Sequence, residues 1–468
     1  MESANRYLGE EKISKLLFKF VIPCITGLLI SALYSIVDQI FIGNSELGFY
    51  GNAATGVSFP IICIANAFAW CMGDGAASYL SICSGKRDTD SAHKSVGSCL
   101  IATSIISIVL TVLSVIFARP LMSLFGASEF TIDMATEYFV IISSFFIFYL
   151  LLSVMNSMIR ADGSPKYAMF AMLLGAIINI ALDPLFIYVF KWGIKGAAWA
   201  TIIGQLMSFG ACVIYLFKPI SFRLSKESFK FDFQILKKLV SLGASTFITQ
   251  ISVAIVALVS NMALAKYGEL SIYGKDITIS VFSIQSKVFT VVCNIVVGIV
   301  LGGQPIFGYN YGAKRMDRVE KTYKIVLVLT LLVGILSTII FQVWPDAIIN
   351  IFGSGDALYK EFAHKVFRIY LSMMTVTCLI KMTAIFFQSI DKSTHAVISS
   401  LIRDIVCFIP LVIILSSLFE NFKVGAGING ILYAAPIADV ISLFVVVILT
   451  LTFFNSIKKI KKAEEINL

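Results

Sequence analysis

Residues 193–205 read GIKGAAWATIIGQ, and residues 427–439 read GINGILYAAPIAD. Outward from this pair, other landmarks recur in the same order: GKR at 85–87 is answered by GAKR at 312–315, and LFG at 124–126 by IFG at 351–353. The partners lie about 227 to 234 residues apart, close to half of the 468-residue chain, so the second half restates the plan of the first. A doubled chain that is strongly apolar in both halves reads most simply as two helical bundles facing each other across a path, the plan of a transporter.

The composition makes lipid the main solvent. Hydrophobic residues are 58% of the chain and charged residues 14%, and the mean hydropathy is +0.89. A water-soluble domain cannot hide so much apolar surface. Apolar runs long enough to cross a bilayer predict twelve helices, at 16–43, 56–83, 94–117, 138–159, 168–190, 196–217, 236–265, 276–303, 322–343, 365–388, 395–418 and 430–454. The runs are continuous rather than alternating, which excludes barrel strands. The first run is too long for a cleavable signal and carries Asp38, so it reads as a span. The fold expected is all-α: a polytopic membrane protein of twelve transmembrane helices in two pseudo-symmetric six-helix bundles.

Charge sets the expected orientation. The net charge is +9, but the basic residues sit in alternate loops, which argues against a nucleic-acid surface. The N-terminus (Lys12, Lys15, Lys19), the 84–94 loop, the 218–238 stretch, the 312–324 loop and the tail (Lys458, Lys459, Lys461, Lys462) are basic, whereas 44–56 and 344–364 are poor in Lys and Arg. The positive-inside rule then puts both termini in the cytoplasm of a multi-pass protein of the cytoplasmic (inner) membrane. The polar stretch 218–238 divides the chain into an N-terminal lobe (1–217), a cytoplasmic linker (218–238) and a C-terminal lobe (239–468). Six helices per lobe make the repeat parallel, about an axis along the membrane normal.

Nine cysteines lie in or at the edges of predicted helices without a C-x-x-C pair, so they read as small packing residues. The three histidines form no metal-binding motif, and G-x-S-x-G, H-E-x-x-H and P-loop patterns are absent. The expectation is a protein that is not an enzyme, has no cofactor and no bound metal centre, and draws energy from an ion gradient.

Charges inside apolar helices cost about 2.5–3.5 kcal/mol each on insertion scales, so they are the functional candidates. Asp183 lies deep in NIALDPLFI (179–187), one turn after Asn179 and directly before Pro184. The turn puts amide and carboxylate on one face, and the proline, with no N–H to donate, frees carbonyls beside them. This group reads as a proton or cation site; the plainer alternative is a carboxylate capping a kink. Asp38, near the end of helix one, reads as a second such group facing an internal cavity or as a water-exposed helix end. Asn156 and Thr201 are small polar groups that can complete the cluster or merely bond neighbouring helices. In the second half Ile409–Pro410 stands where Asp183–Pro184 would align, so the coupling chemistry is expected in the first half. Auxiliary positions are Lys381, Asp74, Asp404 and Gln250. Lys381 is expected to pair with a carboxylate such as Asp404 or Asp439 or to line the path, Lys287 to pair likewise or to snorkel, Arg403 to pair with Asp404, and Asp74 to be hydrated from the cytoplasm. The 38 Phe and 14 Met would suit flat, lipophilic guests if they line a cavity.

The segments GGQPIFGYNYGAKR (302–315), NIALDPLFI (179–187), VDQIFIG (37–43) and MIRADGSPKYA (158–168) together resemble the multidrug and toxic compound extrusion (MATE) family, most closely its bacterial DinF-like and MepA-like branch. The likeness runs through essentially the whole chain. It implies a V-shaped secondary active antiporter that exports amphipathic, mainly cationic drugs in exchange for H+ or Na+ by alternating access. It also implies a first-half site at Asp38, Asn156, Asn179, Asp183 and Thr201, with Na+, if used, at Asp38, Asn179 and Asp183. A helix-seven glutamate of some relatives is Gln250 here, which argues against a second-half Na+ site of that type. The expected partners are small-molecule drugs and the bilayer, with no nucleic acid and no second subunit. The competing reading is a flippase for a lipid-linked precursor, which would hold phosphates on Lys287, Lys381 and Arg403; the first-half carboxylates weigh against it.

Overall fold

The computed structural model describes residues 7–125, 127, 129–220, 222, 228–230, 232–351, 357–421 and 427–466. Gly126, Phe352 and Gly353 of the LFG and IFG landmarks, and much of the 218–238 stretch, lie outside the described residues.

The described residues are mostly helical, with no strand among them. Ten helices are long and apolar enough to cross a membrane, and two bent pairs bring the number to twelve if each pair is one span. In chain order we label them α1 (Ile13–Gly43), α2 (Gly48–Lys86), α3 (Thr89–Ile116), α4 (Ile132–Ser144 with Phe146–Ala161), α5 (Pro165–Val189), α6 (Gly193–Leu216), α7 (Phe233–Glu269), α8 (Gly274–Gly312), α9 (Met316–Val343), α10 (Ala357–Tyr370 with Met374–Ser389), α11 (Ser393–Asn421) and α12 (Gly427–Ile466). The spans expected as straight helices at 138–159 and 365–388 are the two that bend, by 54° in α4 and 49° in α10. The break in α10 follows a π-helical turn, Val366–Tyr370, a wide turn that interrupts the regular hydrogen-bond ladder.

Local chemistry sets the helix ends. Asp88 caps α3, its side chain accepting the Ser91 N–H at 3.1 Å, which satisfies one of the orphan donors of the first turn. α2 closes on Arg87 in the left-handed region at φ 60°, and Lys314, 227 residues later, does the same at φ 57° after α8.

Two compact units divide the chain. One comprises residues 1–250, 301–319 and 388–391; the other comprises 251–300, 320–387 and 392–468. In the first unit, buried Met, Ala, Leu and Cys side chains of α2, α3, α4, α5 and α6 form the core. A second cluster joins Phe139, Phe146 and Leu150 of α4 to Ala65 and Ala69 of α2 and Ala198 of α6.

The repeat is visible in the backbone of this unit. A Cβ on Gly85 would lie 2.0 Å from the Tyr309 carbonyl oxygen, and one on Gly312 would lie 2.2 Å from that of Ile82. Each member of one contact is 227 residues from its counterpart in the other, so the GKR and GAKR landmarks pack on each other reciprocally, as a two-fold relation requires. The same spacing relates Gly75, which approaches the Leu239 carbonyl of α7, to Gly302, which approaches the Val21 backbone of α1. The opening motif has its own reason. Gly196 of GIKG lies against the Phe186 backbone, and Gly430 of GING lies against Leu415 and Ser416, so in each half the second glycine seats the last span on the one before it.

The polar residues of GGQPIFGYNYGAKR hold the start of the chain. Asn310 Nδ2 donates to the Leu8 carbonyl at 3.1 Å, Arg315 to that of Gly9 at 2.7 Å, and Arg318 to those of Leu8 and Glu11 at 3.2 and 2.7 Å. Gln304 donates to Ser78 Oγ at 2.9 Å.

Candidate ion-coupling site

The first-half site is built on α5. Gly175 and Gly204 let α5 and α6 cross closely: a Cβ on either would lie 2.6 Å from the other's carbonyl oxygen, and one on Gly204 would also meet Asn179. One turn beyond Gly175 stands Asn179, and one further turn on stands Asp183, which is fully buried. Asn179 Nδ2 donates to Asp183 Oδ1 at 3.2 Å. Pro184 then removes a donor from the ladder, and Leu185–Val189 winds as a π turn, so the backbone above the carboxylate is loosened where the sequence places the proline.

Asp38 of α1, which packs along α5, lies within electrostatic reach of Asp183. Tyr34, one turn before Asp38, and Tyr138 of α4 share that field. Three oxygens of this group are buried without a hydrogen-bond donor: Asp38 Oδ1, Asn179 Oδ1 and Asp183 Oδ2. An unpaired buried acceptor costs about 1–3 kcal/mol. Here the three acceptors stand on two spans that pack together, α1 and α5, an arrangement that favours a positive occupant.

The other expected residues fall in different places. Thr201 is one turn before Gly204, on the α6 face that meets α5 at Asn179. Asn156 does not join the cluster. Its Nδ2 donates to the Ala168 carbonyl at 2.9 Å, and Ala168 precedes Asp183 by four turns, roughly 22 Å along α5. Asp74 is buried rather than open to the cytoplasm, and its Oδ1 accepts from Arg160 Nη2 and Ser157 Oγ, both at 3.2 Å. Gln250 is partly buried on α7.

In the second unit, Arg403 displaces Lys381 from its expected role. Arg403 Nη1 donates to Asp404 Oδ1 at 2.6 Å and Nε to Asp439 Oδ1 at 2.8 Å, and Thr377 Oγ1 adds a bond to Asp439 at 3.0 Å. The guanidinium also lies over the Phe289 ring, 5.7 Å from its centroid. Lys381 is partly buried and forms no ion pair among the described residues. Lys287 is exposed. The planar guanidinium reaches two carboxylates at once, which the single ammonium of Lys381 does less well.

Sequence reading missed Tyr34, Tyr138, Arg160 and Thr377. Only Tyr34 had a local signal, since it shares the helical face of Asp38 at a spacing of four. The others reach their partners only through packing: Arg160 and Thr377 lie 86 and 62 residues from Asp74 and Asp439, and Tyr138 lies 100 residues from Asp38.

A chain of ten to twelve apolar helices, with an internal repeat carried into its backbone packing and carboxylates buried in its spans, defines a polytopic membrane transporter. The MatE family model matches residues 23–185 and 245–415, so the chain belongs to the MATE family. It is 24% identical over 459 residues, covering 96% of each chain, to the multidrug export protein MepA of Staphylococcus haemolyticus. Its fold matches an outward-facing multidrug resistance MATE family transporter with a TM-score of 0.88 at 22% identity, covering 98% of this chain and 99% of that one. It also matches a transporter of Pyrococcus furiosus, described as having a binding pocket of reversed polarity, with a TM-score of 0.87 at 21% identity, over 97% and 98% of the two chains.

Proposed function

We propose that this protein is a secondary active multidrug exporter that expels amphipathic, mainly cationic compounds across the cytoplasmic membrane in exchange for H+ or Na+. The observation that carries the reading is the set of donorless oxygens of Asp38, Asn179 and Asp183. A proton on either carboxylate supplies the missing donor, and a sodium ion supplies a partner for all three oxygens at once; these are the two chemistries the site accommodates. Relatives that share 24% of their residues with this chain carry the name multidrug export protein, which supports drugs as the cargo. In this reading the cation and the drug bind in alternation, and the two halves rock about the site to expose it to each side in turn. Both termini lie in the cytoplasm, and one chain suffices.

A flippase for a lipid-linked precursor is the weaker reading. It needs free cationic side chains for phosphate, and Arg403 is occupied by two aspartates.

The test is ethidium efflux from cells stripped of their own pumps, with sodium present or replaced and with a protonophore added. Efflux that stops with the protonophore alone assigns H+; efflux that stops on sodium removal at a held pH gradient assigns Na+. In either case Asp183→Asn should abolish efflux while the protein remains in the membrane. Efflux by that variant at the wild-type rate would remove the carboxylate from the mechanism.

A further inference from the structure

Each half carries a surface groove between corresponding elements of its own, at α4 and α6 in the first and at α10 and α12 in the second. The first, about 580 Å³, is lined by Arg119, Asp133, Glu137 and Lys195 among others. Its charges neutralise one another: Arg119 meets Asp133 at 2.7 Å, and Lys195 meets Glu137 at 3.1 Å. The second, about 460 Å³, has an apolar floor of Met373, Tyr433, Pro436 and Ile437, with Ser372 beside it and a single charge, Arg368, at its edge. Arg368 is exposed and has no ion pair among the described residues. One groove is therefore electrically closed, and its counterpart carries an unspent cation.

The second groove lies on the outer surface of its unit, away from the buried charges of that unit. At 100° per residue, Ile437 and Asp439 lie on opposite sides of α12, and Asp439 is the buried partner of Arg403. Met373, Tyr433, Ile437 and Ile441 are all substantially exposed, and in a membrane their solvent is hydrocarbon. The depth of Arg368 follows from its carbonyl, which accepts from Gln342 Nε2 at 2.9 Å. Gln342 is the penultimate residue of α9, at the end of that span away from the basic 312–324 loop. Arg368 thus stands at the membrane–water boundary with the groove beside it, and Tyr433, in the second turn of α12, supplies an interfacial ring. The π turn Val366–Tyr370 that carries Arg368 separates it from the regular ladder of α10.

We infer that the α10–α12 groove is a binding site for one anionic phospholipid, its phosphate held by the Arg368 guanidinium and one acyl chain lying along Met373, Pro436 and Ile437. An arginine at headgroup depth with no ion pair among the described residues is matched by a phosphate, which it grips through two parallel N–H donors. The adjoining apolar floor selects a lipid over a free anion, because an inorganic ion leaves that floor without a partner.

The experiment is native mass spectrometry of the purified full-length protein, released from detergent with equal amounts of phosphatidylglycerol and phosphatidylcholine of identical chains. The wild type is expected to retain phosphatidylglycerol about fivefold over phosphatidylcholine, the discrimination that one basic side chain contributes at an anionic headgroup. Arg368→Gln should reduce the preference to near parity, Ile437→Trp should lower retention of both lipids by filling the groove, and Arg119→Gln should leave the preference intact. Millimolar inorganic phosphate should not displace the lipid. The inference is overturned if Arg368→Gln keeps the preference, if the wild type shows none, or if phosphate alone competes the lipid away. Loss of drug efflux plays no part in the readout, so this result stands apart from the transport reading.

Discussion

The two halves place charge beside the same kind of backbone feature and treat it oppositely. In α5 a carboxylate precedes Pro184 and a π turn follows; in α11 a π turn, Ile402–Phe408, carries Arg403 and Asp404 just ahead of Pro410. The second half brings a base to its acids, so Arg403 binds Asp404 and Asp439. The first half brings none, and Asp38 and Asp183 each keep a bare oxygen. A buried ion pair is costly to break because the survivor is left charged and alone. A buried carboxylate without a fixed partner must instead take one from solution and can return it. The comparison teaches that exchangeable and structural charge are distinguished by whether the fold supplies the counterion.

The comparison breaks most visibly at Arg403. Arg403→Met strands two carboxylates and should destabilise the protein by about 3–5 kcal/mol, read as a lower unfolding midpoint in detergent; adding Asp404→Asn and Asp439→Asn should recover most of the loss. Asp183→Asn should lose transport without lowering that midpoint, and equal losses from the two variants would erase the distinction. A smaller effect is expected at Gly204. Its added Cβ would meet the Gly175 carbonyl at 2.6 Å and Asn179 at 3.2 Å, so Gly204→Ala should cost about 1–3 kcal/mol through overpacking and slow efflux as Asn179 shifts. Gly210→Ala, where a Cβ meets nothing within 4 Å, is the control. The smallest change belongs to Lys381→Met, which breaks no ion pair and should alter stability by no more than about 0.5 kcal/mol; a loss comparable to that of Arg403→Met would make Lys381 a member of the triad.

What the sequence exposed follows the reach of its local signals. The spans were legible because each is a long apolar run, and the two that bend were not read as bent because a broken helix keeps the same composition. Asn179 and Asp183 were legible as a pair, being four residues apart on one helix. The reciprocal contacts of Gly85 and Gly312 were visible only as matching letters; that the letters touch required the fold. Of the two roles open to Lys381, the ion pair is absent among the described residues, because polarity along α10 shows an amine within the span but not which acid, if any, it faces. Arg403 and Asp439 are 36 residues apart, and Asp74 and Arg160 86, distances that only packing closes. Asn156 carried the right chemistry, yet its amide is taken up by Ala168, a backbone partner that residue identity cannot forecast.

All nine cysteines are free and buried, packed where a thiol behaves as a small hydrophobe. Reagents that attack the ionised thiol from water find little of it there. The wild-type chain is thus close to a silent background for labelling: a single cysteine placed on an exposed loop would report its surroundings without first replacing the native nine, and distances between two such probes could be followed in the unmodified core.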